Sequence, residues 1–284
     1  SNEPDLTLHA CQQFSKVIKR YKDENGLLDF TDMLERYDAE LDVDICIFDE
    51  AQDLSALQYK MAINLSKAAS KVYIAGDDDQ AIFGWAGADI RKFLSLKGNR
   101  IVLPQSYRTP SSIHKFSHSI CSRIKTRYDK EWNPREEAGN VEWVAHEEEI
   151  NLSGSESWML LSRSKFFLTR FKKICQQQGY AYRMFGASST DTSETRAIIS
   201  WENLRRGKTI SISEAKNLIQ FIPTKIKLPD LQNYAIKDFG FSNDARQHDW
   251  MTMLRNIAPD EREYLRACLH NGERFGDEPR ITIS

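Results

Sequence analysis

Short apolar runs that each end in a polar cluster constrain the fold of this chain more than any other feature. Three such runs occupy residues 43–48, 71–76 and 100–104, and segments of helix length separate them. This alternation is typical of βαβ units, in which helices join parallel strands. We therefore expect an α/β fold, and we expect the run at residues 43–48 to be a strand buried on both faces.

The polar clusters indicate where a ligand would bind. Acidic side chains follow the first two runs, and the sequence Gln-Ser-Tyr-Arg follows the third at residues 105–108. Ligands of open α/β sheets bind outside the carboxyl ends of the strands. We expect the three clusters to share one edge of a sheet.

The second half of the chain has a similar pattern, followed by a long helical part. We predict strands at residues 141–145, 158–161 and 180–185, a helix at 166–178, and a strand that has just begun at 280–284. Residues 187–276 are mainly helical and irregular. The predicted helices of the whole chain begin with one that ends near Gly26 and continue with residues 29–37, 56–69, 89–96, 194–205, 213–222, 248–257 and 260–270.

Composition narrows the class of protein. The 284 residues are 40% hydrophobic and 28% charged, as in ordinary globular proteins, and the net charge is −2. Any nucleic-acid binding must therefore depend on local basic groups and aromatic stacking. We find no apolar run of bilayer length. The five cysteines are scattered without a CxxC pair, which favours reduced thiols and a cytoplasmic setting.

The acidic pair Asp49 and Glu50 fits nucleotide hydrolysis. A hydrolase of this kind holds Mg²⁺ against phosphates and orients a water. Asp49 can reach the metal and Glu50 can accept a proton from the attacking water. The alternative is a strand that merely ends in solvated acids, and Asp78 and Asp79 are interpreted as solvated turn residues.

Several segments resemble motifs of the UvrD/Rep-type superfamily 1 DNA helicases. Residues 48–54, FDEAQDL, look like motif II, and residues 76–89, GDDDQAIFGWAGAD, look like motif III. Residues 105–109, QSYRT, resemble motif IV. Three further segments resemble the family: LLDFTDML at 27–34, which precedes motif II, and LLSRS at 160–164 and YRMFG at 182–186, which belong to the second motor domain.

The resemblance assigns roles at the nucleotide. It implies ATP and Mg²⁺ as cofactors, with Asp49 as the metal and cofactor ligand and Glu50 as the catalytic base. Gln80 would sense the γ-phosphate, and Asp77 would support the site. Arg108 would be an arginine finger that clamps a phosphoryl group.

Three aromatic side chains also receive roles from the resemblance. Tyr107 would stack on the nucleotide base. Phe83 and Trp85 would stack on bases of single-stranded DNA. Because Phe83 and Trp85 are two residues apart, an extended backbone would point them the same way. The alternatives are core positions for both aromatics, a surface salt bridge for Arg108 and a surface turn for Gln80.

The sequence departs from the family in the phosphate loop and beyond it. The only Gly-Lys-Thr, at residues 207–209, has Glu202 where GxxxxGKS/T requires glycine, and it follows motif II when it should precede it. Ala86 stands where the family often has arginine. Motifs V and VI are not found. We expect these 284 residues alone to hydrolyse little or no ATP.

The resemblance predicts two incomplete RecA-like motor domains and an insertion. The first would span residues 1–104, the second 105–186 with a return at 277–284, and the helical insertion 187–276. The whole protein would bind single-stranded and duplex DNA and unwind it 3′ to 5′. Two alternatives are a non-catalytic module that binds DNA or a partner, and a metal-dependent nuclease built on Asp49, Glu50, Asp53 and residues 77–79.

Overall fold

The computed structural model describes residues 7–37, 42–241 and 244–284. The chain divides into two compact units, Ser1–Glu142 and Trp143–Ser284, here called unit 1 and unit 2. Each is mixed α/β and contains parallel strands. The predicted domain boundaries within residues 105–276 stay predictions.

Unit 1 begins with two helices, α1 (Leu8–Asn25) and α2 (Phe30–Arg36). Gly26 ends α1 in the left-handed conformation, at φ 63°. Asp29 caps α2 by accepting the backbone N–H of Asp32. Lys22 then joins the helices, because its Nζ lies 2.8 Å from Asp29 and 2.6 Å from Asp32. The predicted helix boundaries at Gly26 and Asp29 are confirmed.

The parallel pair β1 (Ile45–Phe48) and β2 (Lys71–Ile74) forms the sheet of unit 1. Helix α3 (Ala56–Leu65) connects the strands. The predicted βαβ unit is therefore confirmed. The predicted burial of β1 on both faces is wrong: Cys46 is 8% exposed, but Ile47 is 72% exposed. Among the described residues, no layer covers the face that carries Ile47.

The predicted strand at residues 100–104 is wrong. A strand needs a neighbour for its backbone hydrogen bonds, and this segment pairs with neither β1 nor β2 in the part of the chain that is described. Directly after this segment, Gln105 forms an isolated bridge with Asn133. The elements after β2 are helical: α4 (Ile90–Leu94), within the predicted helix, and α5 (Ser111–Cys121), which the sequence analysis missed.

Unit 2 places most of its helices after its first strands. Its strands are β3 (Trp158–Leu160), β4 (Tyr182–Met184), β5 (Ala187–Ser188), β6 (Ile210–Ser211), β7 (Asn233–Tyr234) and β8 (Ile281–Ile283). Its helices are α6 (Lys165–Gln178), α7 (Ser193–Arg205), α8 (Ile212–Phe221), α9 (Trp250–Met253) and α10 (Pro259–His270).

The sheet of unit 2 has the order β3-β8-β4-β5. β8 is parallel to both β3 and β4, and β5 is antiparallel to β4. The chain thus leaves the sheet after β5, passes through α7 to α10 and the antiparallel pair β6–β7, and returns to insert β8 between β3 and β4. This topology confirms the predicted strand near residues 280–284 and the mainly helical segment before it.

The hydrophobic core of unit 2 lies between this sheet and the helices. Trp201 of α7 is fully buried, and its indole N–H donates to the carbonyl of His248 at 3.1 Å. Leu265 of α10 and Ile281 of β8 are also fully buried. Two predictions fail here: residues 141–145 form no strand, and the helix predicted at 248–257 is reduced to α9.

The described helices include none that is both long and apolar enough to cross a membrane. Gly207, of the Gly-Lys-Thr sequence, has φ 81° and lies in the turn after α7. This placement agrees with the interpretation of that tripeptide as a connection between elements.

Candidate functional site

The carboxyl end of β1 turns sharply at Glu50. Glu50 has φ 51°, a left-handed conformation that is uncommon outside glycine, asparagine and aspartate. The carboxylate of Asp49 stabilises the turn, because its Oδ1 accepts the backbone N–H of Glu50 at 2.9 Å. Both acidic side chains are exposed. The turn therefore presents two neighbouring carboxylates to solvent at the end of a strand.

A single 3-10 turn, Ala51–Asp53, follows and is anchored on both sides. The N–H of Ala51 donates to the carbonyl of Ala75 at 3.0 Å, which ties the turn to the end of β2. The hydroxyl of Tyr59, from α3, donates to the carbonyl of Ala51. Tyr59 is 3% exposed, and burial raises its pKa to about 12. The hydroxyl thus remains a donor at all physiological pH values.

Gln52 connects the end of β1 to the end of β2. Its side-chain Nε2 donates to Glu50 Oε2 at 2.8 Å and to Asp53 Oδ2 at 3.3 Å. Its Oε1 accepts the backbone N–H of Asp77 at 3.1 Å. Gln52 is 1% exposed, one of five buried residues among the described residues of unit 1. The buried part of unit 1 is therefore largely the site itself.

The segment after β2 folds around Asp77. One carboxylate oxygen of Asp77 accepts the N–H of Asp79 at 3.1 Å, and the other accepts Gln80 Nε2 at 2.6 Å. Residues Asp78–Gln80 form a second 3-10 turn. A continuous series of hydrogen-bonded groups therefore runs from Glu50 through Gln52 and Asp77 to Gln80.

Two basic side chains clamp the three consecutive aspartates. Lys130 Nζ lies 2.9 Å from Asp77, 3.1 Å from Asp79 and in direct contact with Asp78. Arg127 binds Asp79 through two bonds of 2.8 and 2.9 Å. Asp78 is 7% exposed. The interpretation of Asp78 and Asp79 as solvated turn residues is therefore wrong, because partners about fifty residues away bury and neutralise them.

The clamp shifts the pKa values of its members. Burial alone would raise the pKa of Asp77, but hydrogen bonds from Lys130 and Gln80 outweigh it and hold that pKa below its usual range. The hydrogen bonds of Arg127 lower the pKa of Asp79. Burial would lower the pKa of Lys130, yet its three aspartate partners raise it. Asp77, Asp79 and Lys130 are therefore charged at neutral pH.

Asp49, Glu50 and Asp53 are in the opposite situation. In the described ranges, no ion pair neutralises any of the three, and Asp53 Oδ1 is buried without a hydrogen-bond partner. These oxygens fit Mg²⁺, which usually takes one or two carboxylates and completes its shell with water and substrate phosphates. Among the described residues of the chain, no three His, Cys, Asp or Glu side chains form a group that could hold a metal ion by themselves. Because basic side chains occupy Asp77 to Asp79, the geometry disfavours the two-metal nuclease.

The aromatic residues after Gln80 are exposed. Phe83 is 41% exposed and Trp85 is 85% exposed, and their ring centroids lie 6.3 Å apart at an interplanar angle of 53°. Core positions for both are therefore ruled out. The predicted extended backbone is wrong, because Gly84–Ala86 forms a 3-10 turn. The turn nevertheless keeps the two rings as neighbours on the surface.

Tyr107 and Arg108 lie on a separate turn of unit 1. The hydroxyl of Ser106 accepts the backbone N–H of Arg108 at 3.4 Å and of Thr109 at 3.1 Å. Tyr107 is 85% exposed, and Arg108 is exposed. Among the described residues, no hydrogen bond connects either side chain to Glu50 or Gln80. The structure thus connects Glu50, Asp77 and Gln80 through hydrogen bonds, with Asp49 beside Glu50.

The sequence resembles known helicases over its first hundred residues and beyond. The family described as the UvrD/REP helicase N-terminal domain matches residues 2–100. Residues 2–100 are therefore similar in sequence to the N-terminal domain of the UvrD/REP helicases. These residues contain the complete hydrogen-bonded series from Glu50 to Gln80 and the two exposed aromatics.

Three DNA helicases are among the proteins that this chain resembles in sequence. DNA helicase II of Haemophilus influenzae is 30% identical over 152 residues, which is 46% of this chain and 21% of the relative. DNA helicase II of Escherichia coli is 32% identical over 140 residues, 42% of this chain and 19% of the relative. The ATP-dependent DNA helicase srs2 of Schizosaccharomyces pombe is 26% identical over 230 residues, which is 69% of this chain and 26% of the relative. In these three comparisons the chain spans a fifth to a quarter of the relative.

The UvrD/REP motifs left three residues of the site undetected. Gln52 lies inside motif II but was overlooked, because its burial between the two strands is not visible in the sequence. Arg127 and Lys130 lie outside every motif that the sequence analysis used. Three of the four residues at 127–130 are charged. The two basic side chains in this segment were the signal that could have indicated an ion pair with distant acidic residues.

Proposed function

We propose that this chain is the part of an ATP-dependent DNA helicase in which ATP hydrolysis is coupled to movement on DNA. The observation that carries the proposal is the hydrogen-bonded series from Glu50 to Gln80 at the carboxyl ends of two parallel strands. This is the edge of an α/β sheet at which ligands bind. Relatives named as ATP-dependent DNA helicases support it.

At the nucleotide, each residue has a distinct part. Asp49 would hold Mg²⁺, and the ion would supply charge neutralisation at the phosphates. Glu50 accepts a proton from the attacking water. Gln80 contacts the γ-phosphate, and Asp77 fixes the Gln80 amide through the 2.6 Å hydrogen bond. The amide can donate one hydrogen to Asp77 and still offer its other hydrogen and its oxygen to the phosphate and the water.

Arg108 and Tyr107 complete the nucleotide site in this proposal. Arg108 clamps the phosphoryl group during transfer, where such arginines contribute on the order of 10³–10⁵ in rate. Tyr107 stacks on the base. Their high exposure supports a role that needs a ligand, since neither side chain is used by the packing of unit 1.

The DNA side of the proposal rests on Phe83 and Trp85. Two neighbouring exposed rings, three and five residues after Gln80, offer stacking surfaces for bases, and stacking tolerates any base sequence. Movement of Gln80 with the nucleotide state would shift these rings along the strand. The whole protein would translocate 3′ to 5′ on single-stranded DNA and separate duplex DNA, in repair or replication.

The architecture that fits this function is a pair of RecA-like motor domains. Residues 1–104 form part of the first. Residues 105–186 and 277–284 form part of the second, and 187–276 form a helical insertion. The return of β8 between β3 and β4 supports such an insertion. A cytoplasmic location is part of the proposal and agrees with the five free cysteines.

The proposal is tested by measuring DNA-stimulated ATP hydrolysis by the whole protein. Substitution of Glu50 by glutamine should lower kcat by about 10²–10⁴, the usual contribution of a general base. The matched control is Glu35→Gln, which changes an exposed glutamate of α2 and should leave kcat unaltered. An unsubstituted whole protein without DNA-stimulated ATPase activity, or a fully active Glu50→Gln variant, would overturn the proposal.

The 284-residue chain alone should bind single-stranded DNA and turn over little or no ATP. It contains no GxxxxGKS/T sequence to hold the β- and γ-phosphates. A DNA-stimulated ATPase rate from this chain equal to that of the whole protein would contradict this part.

A further inference from the structure

The side chain of Gln52 is placed to transmit position between the two acidic segments of the site. A primary amide offers two donor hydrogens at one end and an acceptor oxygen at the other. Gln52 uses the donor end for Glu50 and Asp53 and the acceptor end for the backbone of Asp77. Because its hydrogen-bonding groups are engaged at both ends, the orientation of the amide is fixed by its neighbours.

The surroundings of Gln52 leave it little freedom to move. A Cβ atom on Gly76 would lie 2.7 Å from Gln52 Oε1 and 2.9 Å from the ring of Phe93. Glycine is therefore needed for the backbone after β2 to approach the amide this closely. The preceding residue, Ala51, is held by backbone hydrogen bonding to Ala75 and by the Tyr59 hydroxyl. The buried amide thus has fixed supports on both strands.

We infer that Gln52 is a positioning residue that holds the Glu50 carboxylate in place according to the position of Asp77. When Asp77 stays in place, its N–H fixes the Gln52 oxygen, and the amide nitrogen fixes Glu50. When Gln80 pulls Asp77 away, the amide loses its support and Glu50 loses its orientation. Gln52 thereby links γ-phosphate sensing to the catalytic base. This inference rests on the proposed function.

Two substitutions separate the two ends of the amide. Gln52→Leu keeps the approximate side-chain volume and removes both the donor nitrogen and the acceptor oxygen of the amide. Gln52→Glu keeps an acceptor for the N–H of Asp77 but replaces the donor to Glu50 by a carboxylate that repels it. The matched control is Gln178 of α6, whose amide also bridges two segments: Oε1 accepts the N–H of Leu152 at 3.0 Å, and Nε2 donates to the carbonyl of Ile150 at 2.6 Å. Gln178 is half-buried, so Gln178→Leu and Gln178→Glu test the loss of a bridging amide in unit 2.

The first measurement is hydrogen exchange of the Asp77 amide in the 284-residue chain without nucleotide. Gln52→Leu should speed this exchange roughly three- to tenfold, the loss of one hydrogen bond, whereas Gln52→Glu should stay within about threefold of the unsubstituted chain. The Gln178 variants should leave Asp77 exchange unaltered. Unchanged Asp77 exchange in folded Gln52→Leu would overturn the inference. If Gln52→Leu does not fold, Gln52→Glu carries the test through the second measurement.

The second measurement is DNA-stimulated ATP hydrolysis by the whole protein. Gln52→Glu should lower kcat on the order of 10²-fold, because a misplaced base costs that much. KM for ATP should change by less than about threefold, since ground-state binding is not affected. The Gln178→Glu control should leave kcat unaltered, because its amide contacts neither Glu50 nor Asp77. Wild-type kcat in Gln52→Glu would refute the inference. Absence of ATPase activity in the unsubstituted protein would refute the proposed function, and the exchange measurement would still decide the link between Gln52 and Asp77.

Discussion

Lys130 is the residue whose removal should most destabilise unit 1. Its ammonium group bridges Asp77, Asp78 and Asp79, and its side chain is 13% exposed. Substitution by methionine keeps most of the volume and removes the charge. Breaking a buried ion pair by deleting one partner costs about 3–5 kcal/mol, because the other charge stays buried and uncompensated.

The structure places the expected loss near the lower end of that range. Asp79 retains Arg127, whose side chain is 11% exposed. Asp78 retains the backbone N–H of Tyr128 at 2.6 Å. The side chain of Asp77 is 36% exposed and can be hydrated. We therefore predict that Lys130→Met lowers the unfolding free energy of unit 1 by about 3 kcal/mol.

The assay is urea unfolding of the 284-residue chain, followed by hydrogen exchange in peptides of unit 1, so that unit 2 does not contribute. The matched control is Lys125→Met, an exposed lysine for which the described residues offer no ion pair. Lys130→Arg should retain part of the stability because it keeps the charge. A loss in Lys130→Met that equals the loss in Lys125→Met, within about 0.5 kcal/mol, would refute the reasoning.

The pH dependence of unfolding gives an independent measure of the same cluster. The pKa of Asp79 and of Asp77 is lowered on folding, so their stabilisation is present above the usual carboxyl pKa of about 4 and is lost as the pH falls through the lower folded values. Lys130 has a raised pKa, so its contribution is complete below its usual pKa and is lost at higher pH. In Lys130→Met, the unfolding free energy should therefore fall less steeply both at low pH and at high pH. Equal pH dependence in both proteins would contradict the assigned ion pairs.

Three further substitutions test other parts of the account. Trp85→Ala should weaken binding of single-stranded DNA by about 1–3 kcal/mol, measured by fluorescence anisotropy. The control is Trp143→Ala, which removes an 80% exposed tryptophan of unit 2 and should not weaken binding. Equal effects of the two substitutions would argue against base stacking on Trp85. Tyr59→Phe should destabilise unit 1 by about 1–3 kcal/mol in the same urea assay, because the carbonyl of Ala51 loses a buried donor, and an unchanged value would count against this anchor. Arg280→Met should destabilise unit 2 by about 2 kcal/mol, because Arg280, which directly precedes β8, donates to the backbone carbonyls of Leu152 and Glu156; normal stability would show that β8 needs no such support.

The strands of unit 1 were predictable because their signals are local. Residues 45–48 and 71–74 are apolar, short and followed by acidic residues, and both became parallel strands. The run at 100–104 has a similar local composition, and it fails because pairing is decided by neighbours that the pattern does not reveal. Ile101 and Leu103 are 83% and 82% exposed, so apolar character alone did not bury this segment.

The site was predictable where chemistry is carried by reactive side chains, and not where it depends on distant partners. Glu50 and Gln80 were identified from their motifs, and the structure connects them. Lys130 was missed because its sequence separation from Asp78 is 52 residues. Gln52 was missed because only its burial between two strands distinguishes it from a surface glutamine.

Glu50 and Gln80 act in one nucleotide pocket in the proposed function, and a double-mutant cycle on the whole protein measures whether they act together. The cycle measures kcat of DNA-stimulated ATP hydrolysis for Glu50→Gln, Gln80→Ala and the double variant. Residues that act as a unit give strongly non-additive losses. We predict that the double variant is no more than about threefold slower than the slower single variant. Losses that simply multiply would place the two residues in independent sites and contradict the account.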